Sequence, residues 1–286
     1  MNLTQESKRS NTAVTLGVVA ISYNEQVDLP GFLSHLVDWV DEIVIIDDGS
    51  GDSTAAIASE YGSKVKFIQS KRGEGEYYAD QRNKGIDAAE SDWLLHMDID
   101  ERVTPNLAAE ILDTIRSGNY DACKFRRLNY FMHRPMKGGG WADWNLVHLA
   151  RRPLLRFGGM YHESIHLKAE ASRIGQLTNK MHHFNDASYA ERLRKSLTYQ
   201  EEVVSDLRDK GVKVNLFRMI YASSREFLVK YLYKKGITDG TAGFISAIHS
   251  TFAIFKAYAL LWEEQHRISR EDLEEEMKEK WNNKDN

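Results

Sequence analysis

At 286 residues, with 42% hydrophobic and 28% charged side chains, the chain can bury a full α/β core and still carry a second, smaller module. A formal net charge of -4 gives no general electrostatic reason to bind nucleic acid, so no nucleic-acid partner is expected. The single cysteine, Cys123, excludes an internal disulfide, and the opening MNLTQESKRSNTAV lacks the apolar run of a signal peptide, so a cytoplasmic location is expected.

Residues 1–13 read as a flexible N-terminus. VTLGVVAIS (14–22) is a short, β-branched apolar run that predicts a buried parallel strand, and residues 24–40 follow with Leu33, Leu36, Val37 and Val40 at helical spacing. The pattern repeats with EIVIIDDGS (42–50) as a second strand, 53–61 as a helix and VKFIQ (65–69) as a third strand. Residues 77–89 then predict a third helix, and WLLHMDIDE (93–101) a fourth strand ending in carboxylates. Strands alternating with helices predict an α/β fold: an open, mostly parallel sheet flanked by helices, with ligands beyond the carboxyl ends of the strands. A helix over 106–116 and a strand over 120–131 follow, and the Gly-rich MKGGGW (136–141) predicts a mobile loop.

From about Ser188 the pattern turns helical, which divides the chain into a domain over 14–187 and a C-terminal helical module over 188–286. Within the module, residues 244–262 form the longest apolar stretch; His249, Lys256 and several hydroxyls favour a buried or interfacial helix over a transmembrane one. Just before it, Lys213, Arg218, Arg225, Lys230, Lys234 and Lys235 face one acid, Glu226, among aromatic residues. Such a segment suits either anionic lipid headgroups at an inner membrane face or a solvated helix face over a core stripe. The charged run 263–280 predicts a solvated helix.

Two strand ends carry acids: Asp47 and Asp48, then Asp98, Asp100 and Glu101. In an extended segment Asp98 and Asp100 point the same way and can present two oxygens to one hard divalent cation that bridges to substrate phosphates. The competing reading is an acidic turn or helix cap. Neither the phosphate-loop pattern nor the dinucleotide fingerprint is complete, so a nucleotide must be held another way, and Arg82 could supply a guanidinium to a diphosphate. HESIH (162–166) matches the bare zinc-protease pattern H-E-x-x-H, which needs a helix around it and a third ligand downstream.

ISYNE (21–25), IVIIDDGSGDST (43–54) and QRNKGIDAAESDWLLHMDIDE (81–101), in that order, resemble the family 2 nucleotide-diphospho-sugar glycosyltransferases of GT-A fold. YHESIH (161–166), HHF (182–184) and YLYKKGITDGTAGF (231–244) look like bacterial lipopolysaccharide-core glycosyltransferases that add glucose or a related hexose. The resemblance implies an inverting, metal-dependent transfer of a hexose from a UDP-sugar to a lipopolysaccharide-core or other lipid-linked cell-envelope glycan. It implies that Ser22, Tyr23, Asn24 and Glu25 line the nucleotide site, that Asp48 hydrogen-bonds the uracil and that Asp47 holds the turn. Arg82 and Asp98 would contact the nucleotide sugar, while Asp98, Asp100 and His183 would hold Mn²⁺ or Mg²⁺, with Glu101 beside them. Glu163 would be the general base, flanked by His162; Asp143, following the Gly-rich loop, is the alternative base. His148 stands where relatives commonly carry an arginine, which leaves donor and acceptor identity open. A polyprenyl-phosphate sugar transferase of the same fold and a non-catalytic sugar-nucleotide scaffold are the alternatives. A zinc peptidase would leave the DDGS and DID motifs without a role.

Overall fold

A computed structural model describes residues 13–159, 164–168, 172–198 and 200–282. The N-terminus expected to be flexible, apart from Ala13, lies outside the described residues. Internal contacts divide the chain into two compact units, Met1–Asn129 with Asp143–Asn185, and Tyr130–Ala142 with Asp186–Asn286.

In the first unit β1 (Leu16–Ser22), β2 (Glu42–Asp47), β3 (Val65–Gln69) and β4 (Trp93–His96) lie parallel in the order β3-β2-β1-β4. The remaining strands in chain order are β5 (Glu101–Val103), β6 (Ala122–Phe131), the short β7 (Arg134–Pro135), which pairs with the end of β6, β8 (Asn145–Arg151), β9 (Leu155–Gly158), β10 (Ser164–Leu167), β11 (Ile174–Gln176) and β12 (Met181–Asp186). Beyond β4 the order is β8-β6-β12-β5, with β8 antiparallel to β4 and to β6, and β12 antiparallel to β5. β9 and β10 pair as a separate antiparallel hairpin.

Alternation along the parallel strands shows why they read as unbroken apolar runs. Leu16, Val18 and Ala20 join Ile43, Ile45 and Leu95 in one buried cluster, while Val19 joins Val44, Ile46 and Leu94 in another. Helix α1 (Leu29–Ser34), α2 (Thr54–Ser59) and α4 (Pro105–Ser117) cover the first face through Phe32, Leu33, Ala58, Leu107 and Ile111. α3 (Tyr78–Ala88) and the β9 residues Leu155 and Phe157 cover the second.

Three expectations are corrected. The helix expected over 24–40 is only six residues long: the Leu33 carbonyl accepts both the Leu36 and Val37 amides, and the Trp39 indole donates to the His35 carbonyl at 2.8 Å, taking an acceptor that a continuing helix would use. The strand expected over 93–101 stops at His96. The Glu101 amide donates to the Asp98 carbonyl at 3.0 Å and the Glu101 carboxylate accepts the Asp98 amide at 2.8 Å, so residues 98–101 close into a turn. The MKGGGW loop, expected to be mobile, is pinned within the second unit. The Lys137 and Gly138 amides donate to the Asp239 carboxylate at 3.0 and 2.7 Å, and the Gly139 amide donates to the Lys234 carbonyl at 2.7 Å. A Cβ on Gly138 would lie 2.1 Å from the Lys235 carbonyl oxygen, so only glycine fits.

The second unit also holds α5 (Tyr189–Thr198), α6 (Gln200–Asp209), α7 (Leu216–Leu228), α8 (Gly240–Gln265) and α9 (Arg270–Asn282). Val204, Val214, Ala257 and Leu261 form its buried cluster. Between α7 and α8 the chain makes a π turn, Val229–Tyr233, and a 3-10 turn, Gly236–Asp239. The helical segment Gly236–Gln265 is long and apolar enough to cross a membrane by length and composition. α9 is exposed along its length.

Two measurements test this packing. Gly138→Ala is expected to lower stability in denaturant titration by about 2 kcal/mol through the clash with the Lys235 carbonyl, whereas Gly51→Ala, with open space around it, should change it by less than about 0.5 kcal/mol. His35 holds α1 to β5: its Nδ1 lies 3.0 Å from the Gly31 carbonyl, and its Nε2 accepts the Val103 amide at 3.1 Å, which requires the neutral ring. Burial, partly offset by the Gly31 bond and reinforced by Arg102, pushes its pKa down from 6.5 to about 4. The folded value lies below the unfolded one, so this contribution is complete above pH 6.5 and is lost as the pH falls from 6.5 towards 4. Allowing for solvent screening, the loss should be about 2 kcal/mol between pH 7 and 4, and His35→Gln should flatten that slope.

Candidate functional site

The carboxyl ends of β1 and β2 form a stitched rim. The buried Asp47 carboxylate accepts from Ser22 Oγ at 2.8 Å and from the Gly49 and Ser50 amides at 3.1 and 2.8 Å, which fixes the turn after β2. Asn24 sits at φ 57° and is tied both ways, its amide to Ser50 Oγ at 2.8 Å and its Oδ1 to the Gly51 amide at 2.9 Å. The Glu25 amide donates to Thr54 Oγ1 at 2.8 Å, and Tyr23 projects from the rim, exposed. Asp48 points elsewhere than Asp47. Its two oxygens accept the Arg72 amide and Nε, each at 2.7 Å, and the Arg72 guanidinium lies 4.0 Å over the Tyr78 ring.

Beyond β4, the turn at 98–101 gathers most of the remaining charge. Asp98 is bound by Arg82 at 2.6 Å and by Arg127 at 3.3 Å, and Arg127 Nε reaches the fully buried Glu101 at 2.6 Å. Burial alone would raise the Asp98 carboxyl, but the two guanidiniums outweigh it and hold the group well below the usual carboxylate range. Burial pushes Glu101 up to about 8; Arg127 opposes the rise, and Asp98 and Asp100 add to it. Three carboxyl groups and two guanidiniums thus meet at this turn, and the rise at Glu101 favours its protonated form near neutral pH.

His183, opposite Glu101 in the β12–β5 ladder, completes the group. With the Asn129 amide oxygen 2.8 Å from Nδ1, that nitrogen carries the proton, and Nε2 turns its lone pair towards an Asp100 oxygen 3.3 Å away. Two acceptors so placed require a proton or a cation between them. Burial lowers the His183 pKa, but the Asp100 carboxylate outweighs it and the net shift is upward. Asp98, Glu101 and His183 each offer a ligand atom within 4.8 Å of the others. Two oxygens and one imidazole nitrogen, with Asp100 against the same ring, suit Mn²⁺ or Mg²⁺ beside a diphosphate. Glu101 is thus one of the three grouped residues, while Asp100 reaches the group through His183.

A cavity of about 460 Å³ opens beside this cluster, lined by Arg82, His96, Asp98, Lys124, Arg127, Trp144, Asn145, Phe157 and Ser164 among others. Glu163 and His162 lie outside the described residues, although Ser164, the next residue after Glu163, lines the cavity. Asp143 is exposed, at the end of the short 3-10 turn Trp141–Asp143, and is not among the lining residues. The zinc-protease pattern fails on conformation. Ser164–Leu167 is a strand paired with Leu155–Gly158, and His166 contacts Ser164 Oγ at 3.0 Å, so the last residues of HESIH are not helical.

Sequence reasoning did not single out Arg127, Asn129 or Arg72. The first two sit at inward positions of β6, where Cys123, Phe125, Arg127, Asn129 and Phe131 are all buried in alternation. A charged and an amide side chain in register with core aromatics was the available signal.

The family model described as glycosyl transferase family 2 matches residues 17–169, which contain the rim, the acidic turn and the cavity. An uncharacterized glycosyltransferase of Rickettsia felis is 26% identical over 253 residues, covering 85% of this chain and 88% of its own. A lipopolysaccharide core biosynthesis glycosyltransferase, LpsC of Rhizobium meliloti, is 25% identical over 274 residues, covering 91% and 96%. Among solved structures, residues 1–349 of S. aureus TarS in complex with UDP-GlcNAc match with a TM-score of 0.48 and 15% identity, over 88% of this chain and 91% of that one. The family match spans just over half of the 286 residues, and the chain belongs to glycosyl transferase family 2.

Proposed function

We propose that this GT-A glycosyltransferase is an inverting, metal-dependent enzyme that moves a hexose, glucose first among them, from a UDP-sugar to a lipopolysaccharide-core or related lipid-linked envelope glycan at the cytoplasmic face of the membrane. The observation that carries the reading is the pair of facing acceptors, His183 Nε2 and Asp100, set beside Asp98 and Glu101 at the end of the parallel sheet. The lipopolysaccharide name of the 25% identical relative supports the acceptor class. Residues 14–187 are assigned as the catalytic domain and 188–286 as the helical module.

In this reading Ser22, Tyr23, Asn24 and Glu25 with Asp47 and Asp48 receive the nucleotide at the rim, and Asp48 turns from Arg72 to the base. Asp98, Asp100 and His183, with Glu101, hold Mn²⁺ or Mg²⁺. When bound, the cation supplies positive charge to the diphosphate that departs from the anomeric carbon. Arg82 donates to the same diphosphate. Glu163 takes the proton of the attacking acceptor hydroxyl as the new C–O bond forms, and the electron pair of the broken anomeric bond leaves on UDP. Asp143 is the alternative base.

Calorimetric titration of chelator-treated protein should show UDP-glucose binding only after Mn²⁺ is restored, with Asp100→Ala weakening it at least about tenfold. Equal binding with and without metal would overturn the cation assignment, and no binding of any UDP-sugar would overturn the donor. Glu163→Gln should keep that binding and lose roughly 10²- to 10⁴-fold in turnover, read as UDP release on a lipopolysaccharide-core acceptor. Asp143→Asn should stay within about threefold, and the opposite pattern would move the base to Asp143.

A further inference from the structure

We propose that the exposed face of α7 and of the π turn after it docks the protein on an anionic lipid bilayer. This assigns a surface to the membrane location in the proposed function and rests on that location, not on the donor or metal assignments.

Phe217, Tyr221, Leu228 and Leu232 follow one another at helical spacing, with Ser224 between them, and the π turn carries the stripe past the end of α7 to Tyr233. With Ile220, these apolar side chains are between 52 and 83% exposed. That is an unusual amount of large apolar surface for one helix to leave in water. Tyr221, Leu228, Leu232 and Tyr233 line one shallow, open depression with Arg225, and the Phe217 and Tyr221 rings stack 6.3 Å apart.

Residues 213–235 contain six cations and one acid, in a chain whose net charge is -4. The one acid is already engaged, Glu226 with Lys230 at 3.9 Å. Lys213, Arg225 and Lys235 make no side-chain ion pair among the described residues. A stripe of aromatic and branched side chains flanked by unpaired cations matches the boundary between acyl chains and anionic headgroups, where tyrosine and phenylalanine rings enter and lysine and arginine remain at the charged surface. Symmetric pairing of this face with itself would bring Arg225, which lies in the depression, against its own copy with no acid lining the depression to offset it, so a two-fold dimer through it is disfavoured. The acidic, exposed α9, with Leu273, Met277 and Trp281 in its own apolar stripe, is the competing occupant if it comes from a second copy.

Co-sedimentation of the full chain with vesicles tests the proposal without any sugar nucleotide, so its failure is distinct from failure of the donor reading. Binding to vesicles of phosphatidylcholine mixed with phosphatidylglycerol should be at least about tenfold stronger than to phosphatidylcholine alone, and should weaken with added salt. Lys213→Glu with Arg225→Glu should cost roughly tenfold or more, and Phe217→Ser with Leu228→Ser a similar factor. Both pairs should melt as the parent does, because the replaced side chains are exposed. Equal or absent binding to the two vesicle types would overturn the proposal. So would concentration-dependent self-association, seen by light scattering without lipid and lost in Lys213→Glu with Arg225→Glu, because a second copy would then cover the face.

Discussion

Arg127 is the side chain on which the candidate site depends. It is 7% exposed, at an inward position of an antiparallel strand, and it touches both Asp98 and the fully buried Glu101. A guanidinium so deprived of water is tolerable only because its carboxylate partners are close, and those partners lie in the turn where the parallel part of the sheet ends. The same contacts draw in Arg82 from α3 and, through Glu101, the ladder that carries His183. Removing Arg127 would leave the buried Glu101 without its guanidinium and Asp98 with Arg82 alone, so the arrangement of the acidic turn and the integrity of the sheet beside it are one problem.

Neighbouring neutral groups keep that charge balance intact. His148 stacks on His96 at 4.9 Å and on Phe125 at 4.7 Å, and burial pushes His96 down to about 3 and His148 well below its ordinary value. Both rings are therefore uncharged at neutral pH. His148 stands at the position where the resemblance implies that relatives commonly carry an arginine. A third guanidinium beside Arg82 and Arg127 would add positive charge next to the acidic turn. The histidine fills the space with an uncharged aromatic plate instead and adds no positive charge to the turn.

The parallel strands were legible because strands covered on both faces must be apolar at consecutive positions, as Ile43 to Ile46 are. The Asp47 turn was legible for a similar local reason, since a carboxylate two or three residues before free amides caps its own turn. What escaped reading depends on partners remote in sequence. The early end of α1 rests on an indole reaching back to a carbonyl, and the turn at 98–101 on a carboxylate that captures an amide a strand would have paired. Arg127 and Asn129 by residue type alone suit the solvent face; only their alternation with the buried Cys123, Phe125 and Phe131 marks them as inward. The Gly-rich segment reads as loose because Asp239, which holds it, lies some hundred residues away.

That last contact has a consequence for the order in which the chain can be built. Residues 130–142 start in the last positions of β6, turn back on it through β7, and group with residues made from position 186 onward. A ribosome adding about 5–20 residues per second emits Gly138 roughly 5–20 s before Asp239 exists to receive its amide. During that interval strands on either side of the insertion can pair while the insertion itself has no partner. Completion of the helical unit is thus tied to the last third of synthesis, and a chain shortened before Asp239 would carry its glycine segment as an unfilled commitment.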